Sequence, residues 1–358
     1  MNLLLFIVGL AALVVGANLL VRGASRLALT FGISPLVVGL TVVAFGTSAP
    51  EVAVSVGAVL EGKTDIAIGN VVGSNIFNVL FVLGLSALIV PLVVNVQLIR
   101  QEVPILVGAS LLLLVLVQDG RIGMLDGALL FALLIAYTVF LVVQSRAEGQ
   151  EAQDSFAGDL PASTPGAWGD RVPLQLALIA AGLVGLVLGS QWLVTAAVSF
   201  AQALGVSDLV IALTVVSAGT SLPEVATSVA AALKGERDMA VGNVVGSSTF
   251  NLLGCLGLAG IASGSTGLGV APQVMHFDIW VMLAVTLACL PVFITGREIA
   301  RWEGALFLAY YAAYVAWLIL AAQHNAMLGA YSAVMMSFVL PLTLVTLVVM
   351  LIRRQPRP

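Results

Sequence analysis

Runs of about twenty apolar residues, the length of a transmembrane helix, return along almost the whole chain. Of its 358 residues, 60% are hydrophobic and only 9% are charged. A soluble domain carries about 25% charged residues. Barrel strands would alternate apolar and polar residues over segments of about ten. The uninterrupted apolar runs therefore predict an all-α polytopic membrane protein.

A polar segment divides the apolar spans into two groups. The eleven spans that we count cover 3–21, 33–60, 66–92, 103–118, 123–143, 173–200, 206–233, 239–262, 275–295, 302–322 and 327–352. The segment 144–172, between the fifth and sixth, is rich in Pro, Gly and Ser, and its two arginines and five acids give a net charge of −3. This composition favours a flexible tether over a regulatory cation-binding loop.

Positive charges are distributed unevenly between the two ends of the spans. With the N-terminus outside, twelve Lys and Arg residues lie on the inner side, and only Lys63 and Arg121 lie outside. Inner loops of membrane proteins carry such an excess. We therefore predict a multi-pass protein of the cell (inner) membrane, with its N-terminus outside and its C-terminus cytoplasmic. The first span lacks a basic segment before it and is interpreted as an uncleaved helix.

Residues 36–84 return as residues 209–257, at an offset of 173 with 31 of 49 positions identical. Each copy belongs to a unit of five spans, and five is odd, so the second unit would enter the membrane from the opposite face. The predicted fold is two inverted five-helix repeats with discontinuous helices, plus one extra C-terminal helix. The predicted domains are the first repeat (1–143), a cytoplasmic linker (144–172), the inverted second repeat (173–322) and an extra helix with a basic tail (323–358).

Each copy places a glutamate just behind a helix-breaking proline, in the middle of an apolar run. The phrases are Gly46-Thr47-Ser48-Ala49-Pro50-Glu51 and Gly219-Thr220-Ser221-Leu222-Pro223-Glu224. Proline gives no N–H to the carbonyl four residues earlier, so carbonyl oxygens near the break must face protein, water or an ion. A charge at membrane depth is by default a functional-site hypothesis. Because no Lys or Arg lies inside a central span, the two carboxylates call for a mobile cation or for protons.

A second set of polar residues recurs in the following spans at a spacing of four, which places each trio on one helix face. The trios are Asn70, Ser74 and Asn78, and Asn243, Ser247 and Asn251. They could bind neighbouring helices or contact an ion, and their recurrence beside the glutamates favours ion contact. All available ligands are hard oxygen donors, which suit Ca²⁺ or Na⁺. Two carboxylates neutralise one Ca²⁺, two Na⁺ or two protons.

These motifs resemble the calcium:cation antiporter superfamily, and most closely its prokaryotic sodium/calcium exchangers. The resemblance covers about residues 3–322 and is carried by the two glutamate phrases together with Gly69–Asn78 and Gly242–Asn251. It implies ten helices in two inverted halves, four cation sites at mid-membrane, and alternating access by sliding of the first and sixth helices. The eleventh span departs from that pattern.

The resemblance also implies a set of cation ligands. Glu51 and Glu224, with the carbonyls of Thr47 and Thr220, would hold Ca²⁺. Na⁺ sites would share these groups and add four serine hydroxyls and two further carbonyls, those of Ser48, Ser221, Ser74, Ser247, Ala44 and Ser217. Asn78 and Asn251 would complete the central position. Some relatives carry Asp at the position of Asn251, so this chain lacks a possible third negative charge.

The function favoured by these features is a secondary antiporter that exchanges Na⁺ for Ca²⁺ by alternating access, with Ca²⁺ export driven by the Na⁺ gradient. The alternative is a Ca²⁺/H⁺ antiporter that uses the same two glutamates. Two inverted halves in one chain argue against a channel, and the repeats offer no catalytic pairing typical of an enzyme. We expect no cofactor, no nucleic-acid partner and no obligate protein partner. The expected partners are transiently bound Ca²⁺ and Na⁺ and the lipid bilayer, and Cys255 and Cys289 are expected to be free thiols.

Overall fold

The structure, a computed structural model, describes residues 2–147, 172–203 and 217–352. Within these ranges, nine helices are long and apolar enough to cross a membrane, and one bent pair would make a tenth span. The helices are α1 (Asn2–Phe31), the bent pair α2 (Pro35–Thr47) and α3 (Ala49–Leu60), α4 (Ile66–Ile89), α5 (Leu98–Asp119), α6 (Met124–Ser145), α7 (Val172–Ala203), α8 (Leu222–Leu233), α9 (Arg237–Ala262), α10 (Val274–Ile294), α11 (Arg301–Ala322) and α12 (Leu328–Thr346). The predicted all-α polytopic fold is confirmed.

Two sequence predictions fall partly outside the described ranges. The linker predicted at 144–172 lies outside them from 148 to 171, and the seventh predicted span, 206–233, lies outside them from 206 to 216. The second part of that span is present as α8, preceded by a single helical turn at Ser217–Gly219. The domain boundaries therefore stay predictions.

The two longest helices, α1 and α7, pack against each other through glycines. A side-chain carbon added at Gly16 would lie 2.8 Å from the Gly182 carbonyl oxygen, and one added at Gly182 would lie 2.6 Å from the Leu20 nitrogen. Small residues allow such backbone contact between membrane helices. At 30 and 32 residues, both helices exceed the about twenty needed to cross, so we expect them to lie tilted in the bilayer.

The two repeats interlock rather than forming separate bundles. Gly127 of α6 meets Gly257 and Gly260 of α9, whereas Gly304 of α11 meets Gly84 of α4. Four two-residue strands repeat this exchange at the loops. β1 (Leu92–Val93) pairs antiparallel with β4 (Glu298–Ile299), and β2 (Arg121–Ile122) pairs antiparallel with β3 (Leu268–Gly269). Each repeat thus packs its last helix against the other repeat, and both of its strands pair with strands of the other repeat.

The helices differ sharply in burial, and this locates the centre of the bundle. In the most apolar stretch of each helix, 72% of the residues are buried in α4 and 89% in α9, whereas 6% are buried in α11 and 0% in α12. Each central helix also contains a π-helical turn, at Asn78–Leu83 and Asn251–Cys255, that begins at the motif asparagine. Such turns are frequent at functional sites. The two polar trios therefore lie on the two innermost helices.

Candidate functional site

Both glutamate phrases interrupt a helix, as the prolines predict. α2 and α3 meet at Ser48 with a bend of 42°, and Ser48 has φ −82° and ψ 5°. Ser221, at the start of α8, has nearly the same backbone, φ −92° and ψ 9°. Pro50 and Pro223 lie in the first turn of the following helix, where proline is tolerated because the N–H groups there lack intrahelical partners. Each glutamate consequently lies at a helix N-terminus, which favours negative charge.

The two glutamates are bonded reciprocally across the two halves. Glu224 Oε1 accepts a hydrogen bond of 3.2 Å from Ser48 Oγ, and Glu51 Oε1 accepts one of 2.9 Å from Ser221 Oγ. Both glutamates are 0% exposed. Ser221 Oγ also lies 3.2 Å from Ser74 Oγ of α4. The phrases that are 173 residues apart in sequence thus form one buried site.

One oxygen of each carboxylate is left without a protein partner. Glu51 Oε2 and Glu224 Oε2 are buried and have no hydrogen bond among the described residues. The two salt bridges found in that part of the chain join exposed side chains elsewhere. Burial of an unpaired carboxylate costs several kcal/mol, so the carboxylates need either a bound cation or protonation. The site has the chemistry of a cation-binding pocket.

Three other buried acids lack this property. Glu102 accepts hydrogen bonds from Tyr137 at 2.6 Å and from Gln97 at 3.0 Å, and Gln101 adds a third at 2.8 Å. Asp278 accepts one from Tyr314 at 2.9 Å and another from Gln273. Glu303 accepts one from the Ala300 backbone N–H, which begins α11. These acids hydrogen-bond to protein groups nearby. Glu51 and Glu224, in contrast, each have a buried oxygen without a hydrogen-bond partner among the described residues.

The hydroxyl of Thr47 connects the first break to α9. Thr47 Oγ1 lies 3.2 Å from Asn243 Oδ1 and 3.3 Å from Ser247 Oγ. The Ala44 carbonyl, expected to lack a helical partner, accepts the Ser48 N–H at 3.0 Å. That expectation is corrected: the helical bond persists because Pro50 removes only the donor to Gly46. The Thr47 hydroxyl also contacts this oxygen, at 3.4 Å, so a cation would compete with that hydroxyl for the second lone pair.

The first asparagine of each trio supports the helix that carries the glutamate. Asn70 donates to Ser55 Oγ at 3.1 Å and to the Glu51 carbonyl at 3.4 Å. Asn243 donates to Ser228 Oγ at 2.9 Å. These two asparagines therefore form hydrogen bonds to a neighbouring helix. Both serines were missed from the sequence, although each lies four residues after its glutamate and recurs at the offset of 173.

The other predicted ligands lie on α4, on α9 and at the second break. Asn78 and Asn251 are fully buried on α4 and α9, but their contacts differ: Asn251 bonds Asn75 and Cys255, whereas neither side-chain polar atom of Asn78 has a partner in the described chain. Ser217 and Thr220 flank the single turn before Ser221. Asn75 and Cys255 were not recognised from the sequence, because neither is repeated at the offset of 173.

A serine of α7 contacts the second break. Pro223 leaves the Gly219 carbonyl without its helical donor, and Ser190 Oγ donates to that carbonyl at 2.5 Å. At the offset of 173, Ser190 corresponds to Ala17, which has no hydroxyl to offer. In the sequence, Ser190 is one of two serines in an apolar helix, and this pattern alone does not predict the contact.

An exposed acid near the first break provides a comparison for the buried ones. Glu61 follows α3 and pairs with Lys63 at 2.8 Å, with both side chains largely in solvent. The Lys63 ammonium lowers the pKa of Glu61 through a hydrogen bond and its charge. Glu61 is therefore ionised and satisfied without any other cation.

A match to a family model agrees with this geometry. The model, described as sodium/calcium exchanger protein, matches residues 1–143 and 174–320. The chain belongs to the sodium/calcium exchanger family. This family consists of transporters rather than enzymes, and its match supports cation/Ca²⁺ antiport. The resemblance drawn from the motifs is confirmed.

Individual members of the exchanger family match most of the chain. Sodium/calcium exchanger MaX1 of Methanosarcina acetivorans is 33% identical, over 88% of this chain and 97% of the relative. Inner membrane protein YrbG of Escherichia coli (strain K12) is 37% identical, over 79% and 86%. The solved structure of the exchanger NCX_Mj, soaked with 2.5 mM Na⁺ and 0.1 mM Ca²⁺, superposes with a TM-score of 0.73 at 33% identity and covers 88% of this chain and 97% of that one. The chain is thus similar to complete exchangers.

Proposed function

We propose that this exchanger couples Na⁺ entry to Ca²⁺ export, with Glu51 and Glu224 binding the transported cations. The observation that carries the proposal is the pair of reciprocal Ser–Glu hydrogen bonds, each leaving one buried carboxylate oxygen unpaired. Two carboxylates neutralise one Ca²⁺, and carboxylate, hydroxyl and carbonyl oxygens are the ligands that hard cations prefer. MaX1 and NCX_Mj, to which the chain is similar, are sodium/calcium exchangers, and this supports Na⁺ as the counter-ion.

Competition for the same carboxylates would make the exchange obligatory. Ca²⁺ would use Glu51, Glu224 and the carbonyls of Thr47 and Thr220. Na⁺ would use the same two carboxylates, so binding of Ca²⁺ and binding of Na⁺ would exclude each other. The further oxygen ligands proposed for Na⁺ are the hydroxyls of Ser48, Ser221, Ser74 and Ser247 and the carbonyls of Ala44 and Ser217. The Asn78 side chain would complete the central position of the pocket for either cation.

The position of α7 suggests how access to the pocket could alternate. Leu183 of α7 packs on Gly46 at the first break, and Val194 packs on Gly219 at the second, both so closely that an added methyl group would clash. One helix therefore touches both breaks, and α1 packs along it. Movement of the α1–α7 pair relative to the breaks would expose the carboxylates to one side and then to the other.

The ion gradients set the direction of transport. With an inward Na⁺ gradient, Na⁺ would enter from outside and Ca²⁺ would leave the cell. If more than two Na⁺ exchanged for one Ca²⁺, each net charge moved would draw about 2.3 kcal/mol from every 100 mV of membrane potential. The cycle would then be driven by voltage as well as by the Na⁺ gradient.

The alternative function is Ca²⁺/H⁺ antiport by the same two glutamates. It can be distinguished from Na⁺/Ca²⁺ exchange by changing the ion gradient that drives Ca²⁺ uptake. Purified protein in proteoliposomes is tested for ⁴⁵Ca²⁺ uptake with an outward Na⁺ gradient at equal pH, and with a pH gradient in the absence of Na⁺. We expect uptake only with the Na⁺ gradient. Uptake driven by the pH gradient alone would contradict Na⁺ coupling and favour the proton antiporter.

A further inference from the structure

Three side chains beside the pocket form a chain of hydrogen bonds between α4 and α9. Cys255 Sγ donates to Asn251 Oδ1 at 3.4 Å, and Asn251 Nδ2 donates to Asn75 Oδ1 at 3.3 Å. Asn75 Nδ2 in turn donates to the Ser248 backbone carbonyl at 3.2 Å. Asn75, Asn251 and Cys255, which we call the amide–thiol chain, are each at most 2% exposed.

The Ser248 carbonyl fixes the direction of this chain. A carbonyl only accepts, so Asn75 must turn its NH₂ group toward it. The same nitrogen lies 3.7 Å from the Met282 sulfur, a weak acceptor. Asn75 Oδ1 must then accept from the NH₂ group of Asn251, which turns Asn251 Oδ1 toward the Cys255 thiol. Protein groups therefore hold the Asn251 carboxamide at both ends.

The matching carboxamide in the first repeat has no such support. Asn78 corresponds to Asn251 at the offset of 173, and Val82 corresponds to Cys255. Valine has no polar hydrogen to donate. Asn78 is 0% exposed, yet neither its oxygen nor its nitrogen has a hydrogen-bond partner in the described chain. A buried amide without partners is unfavourable unless another group binds it.

The second repeat has no counterpart of Asn75 that could bond Asn78. Asn75 corresponds to Ser248, whose hydroxyl is buried and has no partner among the described residues. Two differences between the copies, Asn for Ser and Cys for Val, therefore remove the symmetry at the centre of an otherwise reciprocal site. The glutamates and the bonding serines keep that symmetry.

We propose that the two central asparagines have different roles. Asn78 presents its carboxamide oxygen to the transported cation, and Asn251 is a positioning residue that Asn75 and Cys255 hold against α4. The proposal rests on the proposed function only in that a cation binds at this pocket. It revises the ligand set implied by the family resemblance, in which Asn251 also binds the cation. One amide oxygen, rather than two, then completes the cation shell.

Infrared absorption of the Cys255 thiol tests the position of Asn251 without measuring transport. The chain has two cysteines, so Cys289→Ala leaves one S–H stretching band to follow. We expect Asn251→Ala in this background to shift the band, and bound Ca²⁺ or Na⁺ to leave it in place. A shift of the S–H band on Ca²⁺ binding, or an unchanged band in Asn251→Ala, would overturn the proposal.

The same samples are measured for bound ⁴⁵Ca²⁺. Failure to bind Ca²⁺ in the Cys289→Ala background, with the thiol band still sensitive to Asn251→Ala, would contradict the proposed function but not the amide–thiol chain. The two proposals can therefore fail separately.

A matched pair of substitutions tests the role of Asn78. Val82→Cys places a thiol where Cys255 lies in the other copy, so that it can donate to Asn78 and compete with the cation. We expect Val82→Cys and Asn78→Ala to weaken Ca²⁺ binding about tenfold, the effect of one lost ligand contact. We expect Asn251→Ala to change it less than about threefold. Equal losses from Asn78→Ala and Asn251→Ala, or wild-type binding by Val82→Cys, would overturn the assignment.

The positioning role has its own signature in the rate of exchange. Cys255→Val removes the thiol donor and copies the first repeat, whereas Cys255→Ser retains a donor. We expect Cys255→Val to lower the rate of exchange with little change in Ca²⁺ affinity, and Cys255→Ser to restore the rate. A rate that follows side-chain volume, with Val superior to Ser, would indicate simple packing and contradict the positioning role.

Discussion

At the scale of single residues, the site depends on hydroxyl groups that bond a carboxylate from the opposite half. Ser48 and Ser221 each use the serine hydroxyl as a donor to Oε1, and the hydroxyl oxygen keeps lone pairs for a cation. The glutamates thus depend on both repeats for their environment. A change at either serine should therefore affect the pocket as a whole.

We predict that Ser48→Ala and Ser221→Ala weaken Ca²⁺ and Na⁺ binding by similar factors. Loss of a hydrogen bond to a charged group costs about 1.5–3 kcal/mol, which corresponds to about ten- to hundredfold in affinity. The measurement is the concentration dependence of exchange in proteoliposomes. Ser110→Ala is the matched control, because Ser110 is fully buried but bonds only the Leu106 carbonyl of its own helix. A strong effect in one half alone would contradict the reciprocal site.

At the scale of secondary structure, α7 is joined to the second break by a hydrogen bond that the first break lacks. Ser190 satisfies the Gly219 carbonyl left free by Pro223, whereas Ala17 occupies the corresponding position of α1. The contact joins the packed α1–α7 pair to the turn just before Ser221. The two halves therefore hold their breaks differently.

We expect Ser190→Ala to lower the free energy of unfolding by about 1–3 kcal/mol, because a buried carbonyl then loses its donor. Unfolding in detergent is followed by helical circular dichroism. Ser199→Ala is the control on the same helix, since the Ser199 hydroxyl is exposed and bonds the Thr195 carbonyl. Equal stability of the Ser190 and Ser199 variants would show that the contact does not support the break.

Sequence reasoning found the helix breaks and the acids but not their neighbours. The breaks follow from Pro50 and Pro223, and the pairing of Glu51 with Glu224 follows from their recurrence in inverted repeats. Ser190, Asn75 and Cys255 are present in one copy only, so the repeat could not indicate them. Their roles depend on which helix faces lie opposite each other, which a period of 3.6 residues does not specify.

At the scale of the whole molecule, α12 lies outside the interlocked repeats. Three hydrogen bonds join it to α11: Tyr310 bonds Thr343, Trp317 Nε1 donates to Ser332 at 3.1 Å, and Tyr331 donates to the Ala313 carbonyl at 2.8 Å. None of the residues from Leu328 to Val339 is buried. The sequence predicted this span as an extra C-terminal helix, because it has no counterpart in the other repeat.

We predict that truncation after Asn325, which removes α12 and the basic tail, leaves Ca²⁺ affinity and exchange within about twofold of the full chain. No ligand of the proposed site belongs to α12, and the twofold margin is about 0.4 kcal/mol. The measurement is ⁴⁵Ca²⁺ uptake by the truncated protein, with elution as a single species in size-exclusion chromatography as the folding control. Folded but inactive protein would show that α12 takes part in transport.

The central claim is that two buried glutamates, one from each repeat, bind Ca²⁺ and Na⁺ in one pocket. Equilibrium ⁴⁵Ca²⁺ binding to purified protein tests it most directly, comparing Glu51→Gln and Glu224→Gln with Glu61→Gln, the exposed acid paired with Lys63. The account predicts that both buried variants lose Ca²⁺ binding and that Glu61→Gln retains it, displaceable by Na⁺. Ca²⁺ binding that survives in either buried variant, or that Na⁺ fails to displace from the wild type, would contradict it.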